Sequence, residues 1–188
     1  MKIGILGGTF NPIHIGHLIL AEEIREKLRL AKIIFVPARL PPHKKNKDIA
    51  SARARFLMVR RAIRGNPHFS VSNTEIKRLG LSYTIDTIRE FKQKYPHDEL
   101  YFITGSDLLN YLDEWKDLTT ILSMVKFVVA TRPGYPLEKI PAYIKTVAIR
   151  AVDISAFEVR QCIKKGASFR YLVPESVHTY IRQRKLYL

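Results

Sequence analysis

Acid is what this chain has least of: 17 aspartates and glutamates stand against 32 lysines and arginines, a formal charge of +15. Cysteine is almost absent. The single Cys162 excludes an internal disulfide, suits a reducing cytoplasm and reads as a packing residue on a helix rather than a nucleophile. No uninterrupted apolar run is long enough to span a bilayer, and the opening Met1 to Leu6 is too short for a signal core. A soluble, cytoplasmic protein with no membrane partner is expected. The basic excess is spread along the chain rather than gathered in one tract, with no RNA-binding aromatic signature and no zinc-finger spacing. That speaks against a specific nucleic-acid partner and leaves small phosphorylated molecules to account for the charge. No repeat, low-complexity tract or linker divides the 188 residues, so one domain over 1–188 is expected, with C-terminal helices at about 155–188 as part of it. No motif encodes an oligomeric state, and a homo-oligomer stays open.

Two familiar phosphate-binding patterns are also missing, G-x-G-x-x-G and G-x-x-x-x-G-K-[ST]. In their place stands Gly7-Gly8-Thr9-Phe10-Asn11-Pro12-Ile13-His14-Ile15-Gly16-His17. It follows an apolar run, Ile3 to Leu6, and precedes Leu18, Ala21, Ile24 and Leu28, spaced like one face of a helix. A glycine turn and two histidines where a strand hands over to a helix can hold an anion. A bare His pair three apart could instead be part of a zinc site or two unrelated surface residues. Zinc needs a third ligand that is not close in sequence, and the glycine turn argues against coincidence.

Apolar β-branched or aromatic runs recur at 33–36, 69–71, 100–103, 127–130 and 146–149. Helical patterns lie between them, such as Phe56, Val59 and Ile63, and Ile85, Ile88 and Phe91. The alternation predicts an α/β fold with a doubly wound, mostly parallel sheet. In the order 3-2-1-4-5 the loops after the first and fourth strands, Gly7 to His17 and Thr104-Gly105-Ser106-Asp107, open onto one crevice. The segment 38–50, with Pro41-Pro42-His43-Lys44-Lys45, reads as a mobile loop over it, and 155–188 as two helices parted near Pro174.

His14-Ile15-Gly16-His17, with Thr9 five residues before His14, carries the H-x-G-H signature of nucleotidyltransferases, a superfamily that this chain resembles closely. Further motifs are Pro41-Pro42-His43-Lys44, Leu81-Ser82-Tyr83-Thr84, Gly105-Ser106-Asp107, Trp115, Arg132-Pro133-Gly134-Tyr135 and Ile154-Ser155-Ala156-Phe157-Glu158-Val159-Arg160. In this order they resemble the bacterial nicotinate-nucleotide adenylyltransferases over essentially the whole chain. The resemblance implies a Rossmann-like nucleotidyltransferase fold and adenylyl transfer from ATP to nicotinate mononucleotide, with magnesium carried mainly on the ATP phosphates. It implies ATP contacts at Gly7, Gly8, Thr9, Phe10, His14, His17, Gly105, Asp107, Ser155 and Arg160. It implies acceptor contacts at Lys44, Tyr83, Thr84, Trp115 and Arg132, and catalytic work at His14, His17, Lys44 and Arg160. The second phosphate motif of the superfamily reads I-S-[SA]-[ST]-x-[IL]-R, and Phe157 departs from it where a small hydroxyl residue is usual.

Each assignment has a plainer reading. Ser155 and Asp107 are good helix caps, Lys44 a solvated lysine, Trp115 a core residue and Arg132 a turn residue. Two other functions share the fold: transfer to another phosphorylated acceptor such as phosphopantetheine, and a nucleotide- or RNA-binding module without turnover.

Overall fold

The computed structural model describes residues 1–41, 49–106, 112–131, 140–150 and 152–188. Six strands form one parallel sheet: β1 (Lys2–Gly8), β2 (Lys32–Pro37), β3 (Phe69–Val71), β4 (Glu99–Gly105), β5 (Lys126–Thr131) and β6 (Ile144–Ala148). Their order is β3-β2-β1-β4-β5-β6, and every pairing is parallel. The expected 3-2-1-4-5 order is therefore present and extended by one strand, which begins two residues earlier than the apolar run suggested.

Side chains alternate faces along a strand, so each central strand serves two cores. Leu6, Ile33, Phe35, Tyr101, Ile103, Val128 and Ala130 face α1 (Ile15–Lys27), α2 (Ala52–Ala62), α6 (Ala156–Lys164) and α7 (Glu175–Gln183). Ile3, Ile5, Ile34, Val36, Leu100, Phe102, Phe127 and Val129 face α4 (Thr84–Lys94) and α5 (Leu118–Met124). Such strands are apolar throughout because both faces are covered. Cys162 packs half-buried on α6 against the first core, as expected of it.

Three details differ from the sequence reading. Leu18 is only half-buried on α1, and Leu20 goes deeper. Glu23 takes a place on the same buried face because Lys27 and Arg150 neutralise it there. Phe56 is half-buried on α2, while the buried stripe runs through Ala54, Arg55, Met58 and Val59.

Candidate active site

Strands β1 and β4 are neighbours, so Gly7-Gly8 and Gly105 end at the same edge of the sheet where the strand order diverges. That is where doubly wound sheets bind ligands. The glycine pair is dictated first by packing. A Cβ on Gly8 would sit 2.9 Å from the Phe10 ring, and one on Gly7 3.1 Å from the Phe102 ring. Phe10 adopts the left-handed conformation at φ 49° and is fully buried, with its ring meeting His17 edge-on at 5.1 Å. It lines the turn by supporting a histidine.

His14 is buried and caps α1, with its ring centroid 3.7 Å from that of His17. The His14 main-chain N–H donates to His17 Nδ1 at 3.2 Å. An amide cannot accept, so Nδ1 must offer its lone pair and neutral His17 carries its proton on Nε2. The first turn of α1 is partly used within the protein. Ile15 N–H donates to the Leu172 carbonyl and His17 N–H to the His14 carbonyl, each at 3.0 Å.

The start of α6 lies alongside. Arg160 Nη1 donates to the Asn11 carbonyl at 2.8 Å and to the Ala156 carbonyl at 3.0 Å. Among the described residues, Nε and Nη2 make no further hydrogen bond and remain as donors. Ser155 caps α6: its Oγ accepts from Glu158 N–H at 3.1 Å. Glu158 Oε2 in turn accepts from Ser155 N–H at 2.7 Å and from its hydroxyl at 2.9 Å. These bonds, with the nearby charge of His14, hold the Glu158 carboxyl below the usual range. A phosphate seeking Ser155 would have to displace that carboxylate. Phe157 is exposed, with the Arg160 guanidinium 5.9 Å from its ring centre.

Across the crevice, Tyr83 and Thr84 begin α4, whose cap makes no side-chain hydrogen bond to the first turn. Lys116 Nζ lies 4.8 Å from the Tyr83 ring, which brings α4 to the segment carrying Trp115. Trp115 is half-buried and meets Phe102 and Phe127 edge-on at 5.7 and 5.6 Å. The expected surface position and the plain core position are thus both partly right: one side of the indole is anchored in the core.

Lys44, Asp107 and Arg132 lie outside the described residues. So do most of the loop expected to cover the site and the cap expected of Asp107.

Several residues that shape the site carried no role in the sequence reading. Arg55 is fully buried and donates to the carbonyls of Thr9 at 2.7 Å, Ala50 at 2.9 Å and Arg39 at 3.0 Å. Its place between Ala54 and Met58 in an apolar stripe was the available signal. Glu75, on the short α3 (Thr74–Lys77), is buried and accepts from the Thr87 hydroxyl at 2.6 Å. Arg78 Nη2 donates to the same hydroxyl at 2.8 Å. Burial pushes the Glu75 carboxyl up, partly offset by Thr87, Ser82 and Arg78.

Residues 5–162 match the cytidylyltransferase-like family model. The chain is 43% identical to the probable nicotinate-nucleotide adenylyltransferase of Thermus thermophilus, over 100% of both chains. It is 42% identical to the enzyme of that name from Desulfitobacterium hafniense, over 99% of this chain and 95% of the relative. Among solved structures it is similar to Plasmodium falciparum nicotinic acid mononucleotide adenylyltransferase complexed with NaAD, with a TM-score of 0.79. That likeness is at 20% identity and covers 99% of this chain and 97% of the other.

Proposed function

Since the chain belongs to the cytidylyltransferase-like family, and to the nicotinate-nucleotide adenylyltransferases within it, we infer that it makes deamido-NAD and pyrophosphate from ATP and nicotinate mononucleotide. The observation that carries the reading is the meeting of His14, His17 and Arg160 at one end of β1, opposite the Tyr83–Trp115 wall.

An oxygen of the acceptor phosphate attacks the α-phosphorus of ATP in line. The new P–O bond forms as the bond to the β-phosphate oxygen breaks, and the electron pair leaves on pyrophosphate. The nucleophile is already an anion, so no strong base is required. Catalysis then rests on positioning and on charge stabilisation. His17 offers Nε2–H to a phosphate oxygen, and the bond to Nδ1 keeps that donor aimed. His14 and Arg160 serve the same phosphates, with Gly7, Gly8, Thr9 and Gly105 as the floor. Lys44 and Arg132 add charge, Asp107 takes a ribose hydroxyl, and Ser155 contacts phosphate once Glu158 moves aside.

On the acceptor side, the pyridine ring lies on the exposed side of Trp115, and the amides opening α4 at Thr84 receive the nicotinate carboxylate. Among the described residues no three His, Cys, Asp or Glu side chains gather to hold a metal. This donor set fits a magnesium ion that arrives on the triphosphate, where it would neutralise charge on the leaving pyrophosphate.

Pyrophosphate release is measured with ATP and magnesium against nicotinate mononucleotide, nicotinamide mononucleotide and phosphopantetheine separately. Strong turnover with the first and weak turnover with the second is expected. Turnover with phosphopantetheine alone would remove the Thr84 and Trp115 assignments, and silence of folded protein with all three would remove the reaction.

A further inference from the structure

Tyr187, beyond the end of α7, donates its hydroxyl to Asn11 Oδ1 at 2.8 Å, a bond between residues 176 positions apart. The same Oδ1 accepts from Ala50 N–H at 3.0 Å. The Asn11 main-chain carbonyl is the one that holds Arg160. Asn11 is thus a junction of four segments: the β1–α1 loop, the approach to α2, the start of α6 and the chain after α7. Beneath it, Arg55 holds the Thr9 and Ala50 carbonyls on either side of the junction.

We propose that Tyr187 is a positioning residue for ATP, fixing through Asn11 the relative placement of the histidine loop and Arg160. The proposal rests on the assignment of both elements to the ATP phosphates. The Arg160 bond to the Asn11 carbonyl joins the two elements across 149 residues, and it fixes their spacing only as firmly as Asn11 itself is held. The Tyr187 hydroxyl holds Asn11 from a third direction.

Its surroundings explain why a phenol suits the place. The ring packs at the margin of the core, where phenylalanine would serve as well. The hydroxyl gives its proton to Asn11, and the positive charges of Arg55 and Arg160 favour its lone pairs. Burial raises its pKa despite both cations, so it stays a neutral donor. Pre-ordering of this kind lowers what a ligand must spend to organise its site.

The test is Tyr187→Phe, which keeps the ring and deletes the donor. Mg-ATP binding is read by calorimetry without acceptor, alongside steady-state kinetics and the thermal midpoint. The expected result is Mg-ATP affinity weakened roughly threefold to tenfold, the factor that one neutral hydrogen bond carries. KM for ATP rises in parallel and kcat falls at most severalfold, while KM for nicotinate mononucleotide stays near the parent value and the thermal midpoint drops by no more than a few degrees. Repeated in an Asn11→Ala background, Tyr187→Phe adds little further loss, because the coupling runs through Asn11. Parent-like Mg-ATP affinity in Tyr187→Phe overturns the proposal. So does a loss of equal size in the Asn11→Ala background, and so do parallel losses for ATP and acceptor together with a lowered midpoint, which would mark a merely structural role. A parent that binds Mg-ATP yet fails to use nicotinate mononucleotide overturns the acceptor assignment and leaves this test standing. A parent that does not bind Mg-ATP overturns the reading beneath both.

Discussion

A single main-chain proton decides how His17 can act, since the amide of His14 occupies Nδ1 and leaves Nε2 as the donor. The glycine between the two histidines protects that arrangement. A Cβ at Gly16 would lie 3.1 Å from His14 Nδ1 and 3.2 Å from its Cε1, so the ring must give by a few tenths of an ångström. Gly16→Ala should keep the thermal midpoint within a few degrees and lower kcat roughly tenfold, because catalytic geometry tolerates little displacement. Pyrophosphate release and a melting curve check both halves, and an unchanged kcat would mean that His14 has slack. Glu158 offers the opposite kind of change. Glu158→Gln keeps the reciprocal cap with Ser155 but removes a negative charge from the proposed phosphate site. KM for ATP should fall about twofold to threefold, a modest gain for an exposed charge in water. A raised KM would show the carboxylate to be useful there, for instance through the bound metal. At this scale the sequence was legible where chemistry is local. Gly7 to His17 is one continuous signature, whereas Asn11, Arg55 and Tyr187 acquire their roles only from partners up to 176 positions away.

Whole elements were easier to read than their contacts. All six strands show as apolar runs, most plainly the central ones, because a parallel strand buried on both faces has few polar interruptions, and the order taken for the first five is the one observed. The helices that escaped notice are α3, four residues, and α5, seven, both too short to show a helical period. One of them matters. Through Glu75 and Arg78, the α3 segment grips Thr87, one turn into α4, and so sets the angle at which Thr84 meets the crevice. Thr87 is buried, and Thr87→Val preserves its shape while taking the hydroxyl from both charged partners. The expected cost is about 1.5–3 kcal/mol of stability, the range for hydrogen bonds to charged groups. The denaturant midpoint reads this loss. KM for nicotinate mononucleotide should rise severalfold with KM for ATP unchanged, and a rise in both would place Thr87 in general support of the fold rather than of the acceptor wall.

The molecule as a whole carries +15 at neutral pH, so its carboxylates matter out of proportion to their number. Glu23 is the clearest case. Arg150 donates to it from both its guanidinium and its main-chain N–H, Lys27 donates at 3.0 Å, and Lys27 also reaches the Ala148 carbonyl. The contacts fasten α1, which carries the histidines, to the end of β6 and the chain that leads into α6. They depress the Glu23 pKa from an ordinary 4.5 to about 2, with the Arg150 bond as the largest cause. A carboxylate whose pKa is lower folded than unfolded stabilises fully above the ordinary value and progressively less as pH falls toward the folded one. The clamp should therefore be intact at pH 7 and weaken between about 4.5 and 2. Over the same range the other carboxylates neutralise and the excess positive charge grows, so self-repulsion adds to the loss. Salt separates the two effects, since it screens repulsion between distant charges far more than a pair in direct hydrogen-bond contact. Sodium chloride should raise the thermal midpoint more at pH 4 than at pH 7. Glu23→Gln should lower the midpoint at pH 7 by several degrees, and its difference from the parent should close as pH approaches 2, with salt unable to restore it at pH 7. A difference that stays constant across the titration would mean that Glu23 contributes by packing alone and that α1 is held to β6 by something other than charge.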